Sequence, residues 1–179
     1  MAFTVEDGSG KSDANSYALV AEADAYWSDR GNANWAALTD ADKKVALIDA
    51  TDYIDGRFGG RMIGSKATEE QLLEWPRIDT GNDLWDYDTV EGEGVIPMAL
   101  KYATIQYADR ARTAPLAPDP VVNDAGVSMV TTKEEIGPIK TESQPVGGYS
   151  ATVNVLRPYP AADMYMRTLV VTAARVIHG

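Results

Sequence analysis

The stretch that most constrains this chain is Val95 to Ala114, VIPMALKYATIQYADRARTA. Pro97 stands in the first turn of a predicted helix, where its missing N–H leaves no bond unmade. Glu91 and Glu93 precede it, at the positive end of the helix dipole, and Pro115 stops it. Between these limits the apolar residues form two stripes. Ile96, Leu100, Ala103, Tyr107, Ala111 and Ala114 line one face, and Met98, Tyr102 and Ile105 line the opposite one. A helix apolar on two sides is covered on two sides. The spacing therefore predicts the central post of a small helical bundle; an amphipathic surface helix would leave the second stripe facing water.

The segments before it supply partners. A first helix is expected from about Val20 to Arg30, with Val20, Ala23 and Trp27 on one face and Gly31 as its stop. A second begins at a Thr39 cap, with Asp42 in a capping-box-like relation, and places Leu47, Ala50, Thr51, Ile54 and Phe58 on one face. Asp49, Asp52 and Asp55 lie along it. Only successive members of that trio are neighbours on the helix, and no histidine joins them, so they read as a solvated acidic face rather than a metal or acid–base site. A short helix, Glu69 to Glu74, is expected behind Thr68, ended by Pro76, which sends Trp75 toward the core. Asp79, Asp83, Asp86, Asp88, Glu91 and Glu93 then make an acidic, mobile loop whose spacing does not meet the calcium-loop pattern.

Downstream the periodicity changes. Pro115, Pro118 and Pro120 form a stiff linker. Val127 to Ile136 and Ile139 to Thr141 read as strands meeting at Gly137-Pro138, with a third strand at Thr152 to Leu156 beyond a glycine-rich loop. A last helix is expected over Ala161 to Val176, with Met164, Leu169, Val170 and Val171 among its apolar residues. The fold class is thus mainly α: a small helical bundle around the helix at about 95–114, with a β-hairpin arm and a C-terminal helix. The organisation expected is a bundle core over 1–114, followed by linker, hairpin and last helix over 115–179.

Composition narrows the function. Hydrophobic residues are 45% and charged residues 24%, which suits a globular chain. No apolar run reaches the ~18–20 residues of a membrane span, and no signal peptide is expected at the start. Sixteen basic residues face 27 acidic ones, a net charge of −11. Residues 1–100 carry 8 basic and 20 acidic side chains, whereas 101–179 carry 8 and 7. Clustered Lys and Arg are what neutralise phosphates, so the charge argues against a protein that grips DNA. Gly8-Ser9-Gly10-Lys11-Ser12 imitates the end of a phosphate-binding loop, but Val5 stands where the pattern needs glycine, so it reads as a flexible turn. Cysteine is absent and the sole histidine is His178, near the end of the sequence. Without a thiol, a placed histidine or a serine elbow, no enzyme is expected, and no cofactor or metal.

The ordered set of short motifs goes further. Val5-Glu6-Asp7-Gly8, Asn15-Ser16-Tyr17 and Ala21-Glu22-Ala23-Asp24-Ala25-Tyr26 are followed by Trp35 before Leu38-Thr39-Asp40. Then come Ala46-Leu47-Ile48-Asp49-Ala50-Thr51-Asp52-Tyr53-Ile54-Asp55, Trp75-Pro76-Arg77, Ile96-Pro97 and Glu135-Ile136-Gly137-Pro138-Ile139. This run resembles a family of tailed-phage proteins, the small head–tail connectors or adaptors, often labelled DnaT-like single-stranded-DNA-binding proteins. The connector resemblance implies a structural virion protein at the head–tail junction, assembled in the host cytoplasm. It implies a homo-oligomeric ring, a dodecamer, that binds the portal protein and a tail or neck completion protein and lets packaged DNA pass without specific binding. In such a ring the hairpin would be an assembly arm, with Val130, Thr132, Ile136, Gly137, Pro138 and Ile139 at the interface. The label implies the alternative, a DnaT-like single-stranded-DNA-binding accessory protein of phage replication. The net charge favours the connector.

Overall fold

The computed structural model describes residues 2–88, 91–118, 135–136, 139–140 and 158–171. The chain divides into two compact units, one of Met1–Leu116 with Pro158–Gly179 and one of Ala117–Arg157. The protein is mainly helical with a small antiparallel hairpin. The first unit holds α1 (Val20–Ser28), α2 (Ala33–Ala36), α3 (Asp40–Phe58), α4 (Met98–Ala111) and α5 (Pro160–Met166), with a two-stranded antiparallel ribbon of β1 (Ser65–Lys66) and β2 (Arg77–Ile78). In the second unit, β3 (Glu135–Ile136) pairs antiparallel with β4 (Ile139–Lys140), Glu135 opposite Lys140 and Ile136 opposite Ile139.

Helix α4 is the post, packed by α3 and by α5. Leu100, Ala103 and Tyr107 are fully buried and Ile105, on the second stripe, is 1% exposed. The stripe is shorter than the spacing predicts. The helix begins at Met98 with Pro97 as its N-cap, so Met98 sits at the rim, 54% exposed. It ends at Ala111, which leaves Ala114 exposed beyond it. Thr104 and Ala108 are buried instead. Thr104 is tolerated there because its hydroxyl donates to the Leu100 carbonyl of its own helix (2.9 Å).

Side-chain bonds fix the helix directions. Lys101 meets Glu22 (2.6 Å), Gln106 meets Tyr26 (2.7 Å) and Asn32 meets Asp109 (3.0 Å), so α1 and α4 run parallel. Tyr159 donates to the Leu116 carbonyl (3.1 Å), while Tyr165 lies against Tyr102, so α5 runs antiparallel to α4. On α3 the expected face is buried in full, and the Thr39 hydroxyl accepts from the Asp42 N–H (3.2 Å) as the capping pattern requires. The short α2, unforeseen, buries Trp35, whose indole N–H donates to Asp24 (2.8 Å).

Four expectations are corrected. No helix forms over residues 69–74. Its cap does: Thr68 N–H donates to the Gln71 side-chain oxygen (2.9 Å) and Gln71 N–H to the Thr68 hydroxyl (3.2 Å). The turn cannot propagate, because Pro76 follows too soon and the Gln71 amide claims the Leu73 and Pro76 carbonyls (2.9 and 3.0 Å). Trp75 is nonetheless fully buried before a cis Pro76, its indole donating to the Val95 carbonyl (2.9 Å). The last helix is also shorter than expected, ending at Met166. Beyond it the apolar run Leu169-Val170-Val171 pairs with the backbone at 61–63: Ile63 N–H donates to the Leu169 carbonyl (3.0 Å) and Val171 N–H to that of Arg61 (2.7 Å). Residues 172–176 of the expected helix lie outside the described residues. The C-terminal segment belongs with the bundle rather than with the linker and hairpin. Finally, the described part of the acidic loop is bonded: the Asp86 carboxylate accepts from Thr80 N–H (2.8 Å), and Tyr87 N–H donates to the Arg77 carbonyl (2.9 Å).

Candidate functional site

The glycine-rich turn at residues 8–12 is an ordered anion nest that the protein fills itself. The amides of Gly8, Gly10 and Lys11 converge on the carboxylate of Glu6, at 2.9, 3.0 and 2.8 Å. Glu6 is 1% exposed. The expectation of a flexible turn is corrected, and the nest has no room for a phosphate. Gly8 cannot be replaced: its φ is +106°, and a Cβ there would lie 1.8 Å from the Gly94 carbonyl oxygen.

The aspartate trio on α3 also differs from its expected role. Asp49 and Asp52 are exposed, but Asp55 is drawn inward, accepting from the Tyr17 hydroxyl (2.7 Å) and from Glu74 N–H (3.0 Å). Burial pushes its carboxyl up to about 6, outweighing the two donors, which act the other way. Between about pH 4 and 6 the folded protein therefore holds a proton that the unfolded chain has released, and the fold loses stability as pH rises through that window. Relative to Asp55→Asn, the wild-type protein should lose about 2–3 kcal/mol between pH 4 and pH 7, read by urea unfolding. An unchanged difference would mean that Asp55 titrates as an exposed acid.

Of the residues expected at an assembly interface, Ile136 and Ile139 are paired with each other in the hairpin. Val130, Thr132, Gly137 and Pro138 lie outside the described residues.

Two clusters, each of three tyrosines and one arginine, fill the junctions around α4, and the sequence reading missed both as units. At the α3–α4–α5 junction, Tyr53, Tyr107 and Tyr159 meet with ring centroids 5.1–6.0 Å apart. Arg57 there donates to the Tyr53 hydroxyl (2.8 Å) and pairs with Asp163 (3.0 Å). Asp163 also accepts from the Tyr107 hydroxyl, whose titration burial and that carboxylate hold well above the ordinary tyrosine range. Every charge in this junction is matched.

At the α1–α4–α5 junction, Tyr26, Tyr102 and Tyr165 meet at 5.1 and 5.7 Å, tilted rather than stacked. Tyr26 is buried and anchored by Gln106 (2.7 Å) and by the Tyr165 hydroxyl (3.2 Å), whereas Tyr102 and Tyr165 are half-buried. The Arg30 guanidinium lies 3.5 Å over the Tyr26 ring and donates to the Tyr26 carbonyl (3.0 Å). Arg30 is exposed, and no carboxylate among the described residues pairs with it. Its one signal in the sequence is the helical spacing Tyr26–Arg30 beside Tyr102–Gln106–Arg110.

Fold and junctions define a small, mainly helical protein with a half-open aromatic notch edged by an unpaired arginine. A family model described as "Putative DnaT-like ssDNA binding protein" matches residues 1–176, and the chain belongs to that family. No curated protein and no solved structure matches. The match corrects the head–tail connector function expected above: the family description names single-stranded DNA and no portal, tail or capsid role.

Proposed function

We propose that this chain is a DnaT-like single-stranded-DNA-binding accessory protein of phage replication, acting by binding and not by catalysis. The observation that carries the reading is the family match, which runs over residues 1–176. Charge is the physical objection, and its distribution answers part of it. The acid excess belongs to residues 1–100, whereas α4, α5 and the residues capping their C-terminal ends carry Lys101, Arg110, Arg112 and Arg167 against Asp109 and Asp163. A protein of this charge would hold single strands through bases more than through phosphates. With two or three phosphate contacts at about 0.7 each, log Kobs should fall against log salt with a slope of about −1.4 to −2.

Fluorescence anisotropy with an oligothymidylate of about 20 nucleotides tests this, a length that spans more than one ordinary single-strand site. The full-length protein should bind in low salt with that shallow slope and should prefer the single strand to a duplex of equal length. No anisotropy change at tens of micromolar protein would retire the reading.

A further inference from the structure

We infer that the open tyrosine junction of α1, α4 and α5 is the seat on which single-stranded DNA stacks its bases, with Tyr102 and Tyr165 as the platform and Arg30 as the phosphate contact. The inference rests on the single-strand reading above and adds a place and a chemistry to it.

The argument comes from the contrast between the two junctions. Both are built alike, from three tyrosines and an arginine lying against one of them. In the α3–α4–α5 junction the arginine is answered by Asp163. In the other junction no described acid pairs with the arginine, although the protein has 27 acids and only 16 bases. An exposed guanidinium held 3.5 Å over a ring, with one N–H taken by the Tyr26 carbonyl and no carboxylate beside it among the described residues, is an anion site without its anion. The nearby acids do not cancel it. Asp109 is taken by Asn32 (3.0 Å) and Arg112 (2.8 Å), and Asp29, next in sequence, is exposed and makes no ion pair with Arg30 among the described residues.

The rings supply the other half of the site. Tyr102 and Tyr165 are half-buried, so each is held by the bundle yet presents ring surface to solvent. Their mutual tilt of 67° means that neither uses its face in parallel stacking on the other. A flat apolar surface beside a cation is what an unstacked base and its phosphate need, and every base has a π-face, so recognition here is independent of sequence. Arg110, two turns along α4 from Tyr102 and exposed, extends the positive edge in the direction a strand would leave.

Photocross-linking places the strand on the unaltered protein. An oligothymidylate carrying 5-iodouracil, irradiated with the full-length chain, should join to Tyr102 or Tyr165, as located by peptide mass spectrometry. In anisotropy titrations Tyr102→Ala and Arg30→Gln should each weaken binding about tenfold, while Tyr102→Phe, which keeps the ring, should stay within about twofold of wild type. Arg61→Gln removes another exposed arginine, one that leans on Phe58 (5.5 Å), and should change nothing. Should Tyr102→Ala fail to fold, the exposed Arg30→Gln and the cross-link map decide. Wild-type binding with full-strength Arg30→Gln and Tyr102→Ala variants, cross-links confined to other residues, or an equal loss in Arg61→Gln would each overturn the site and leave the single-strand reading standing. Absence of binding by the wild-type protein would overturn both.

Discussion

Leu100→Ala is expected to destabilise the protein by about 2–5 kcal/mol. The side chain is fully buried on the helix that α3 and α5 both pack against, so its removal opens a cavity in the bundle core. Leu47→Ala, fully buried on α3, should fall in the same range. Urea unfolding with an unchanged slope and a lowered midpoint would report the loss. Midpoints that do not move would place α4 outside the core and break the architecture described here.

Glu6→Ala should cost about as much, on the order of 3–5 kcal/mol, although it removes no hydrophobic contact. The Gly8, Gly10 and Lys11 amides would lose their common acceptor at once. Water can reach the last two in part, which keeps the figure below three full penalties. The consequences would spread, because Gly8 carbonyl accepts from Gly94 N–H (2.8 Å) and Lys11 carbonyl from Leu72 N–H (3.1 Å). Hydrogen exchange should show both distant loops opening in the variant. A Glu6→Ala protein as stable as wild type would mean that the nest is satisfied by solvent.

The helices were legible in the sequence where period and cap agreed. Thr39 with Asp42, followed by an unbroken stripe to Phe58, gives α3 at its observed length, and Gly31 at φ +65° ends the α1 region as its type suggests. Reading failed where a local signal was correct but outvoted. Thr68 and Gln71 do cap one another, yet the chain they cap has no room to be helical. The apolar residues from Leu169 onward look helical by composition, but pairing with the backbone at 61–63 claims them. Buried polar residues were the least visible. Glu6, Asp55 and Arg77 look like ordinary surface charges in a sequence, and nothing local marks them as the centres of hydrogen-bond sets. Arg77, for instance, donates to the carbonyls of Ile63 (2.7 Å), Gly64 (2.9 Å) and Glu74 (2.9 Å).

The functional error had a physical source as well. The total charge, although known to be concentrated in residues 1–100, ranked the connector above the single-strand reading that the family description names. A sum of −11 says little about one notch on one face, and stacking on tyrosine rings does not depend on that sum. The aromatic junctions were invisible because each draws its members from three helices, separated by as many as 139 positions between Tyr26 and Tyr165.

The bond from the Tyr159 hydroxyl to the Leu116 carbonyl has a meaning beyond packing. Leu116 is where the chain leaves the bundle and Pro158 is where it comes back, so this one contact ties the exit to the return. The segment Ala117–Arg157 is thereby an excursion between two points already held together. For a flexible connection between two such points, closure entropy grows only logarithmically, by about 0.6 kcal/mol for each doubling of length. The fold of the bundle is thus closed across the Leu116–Tyr159 contact, and what the chain does between those points bears on the bundle only through two joined ends.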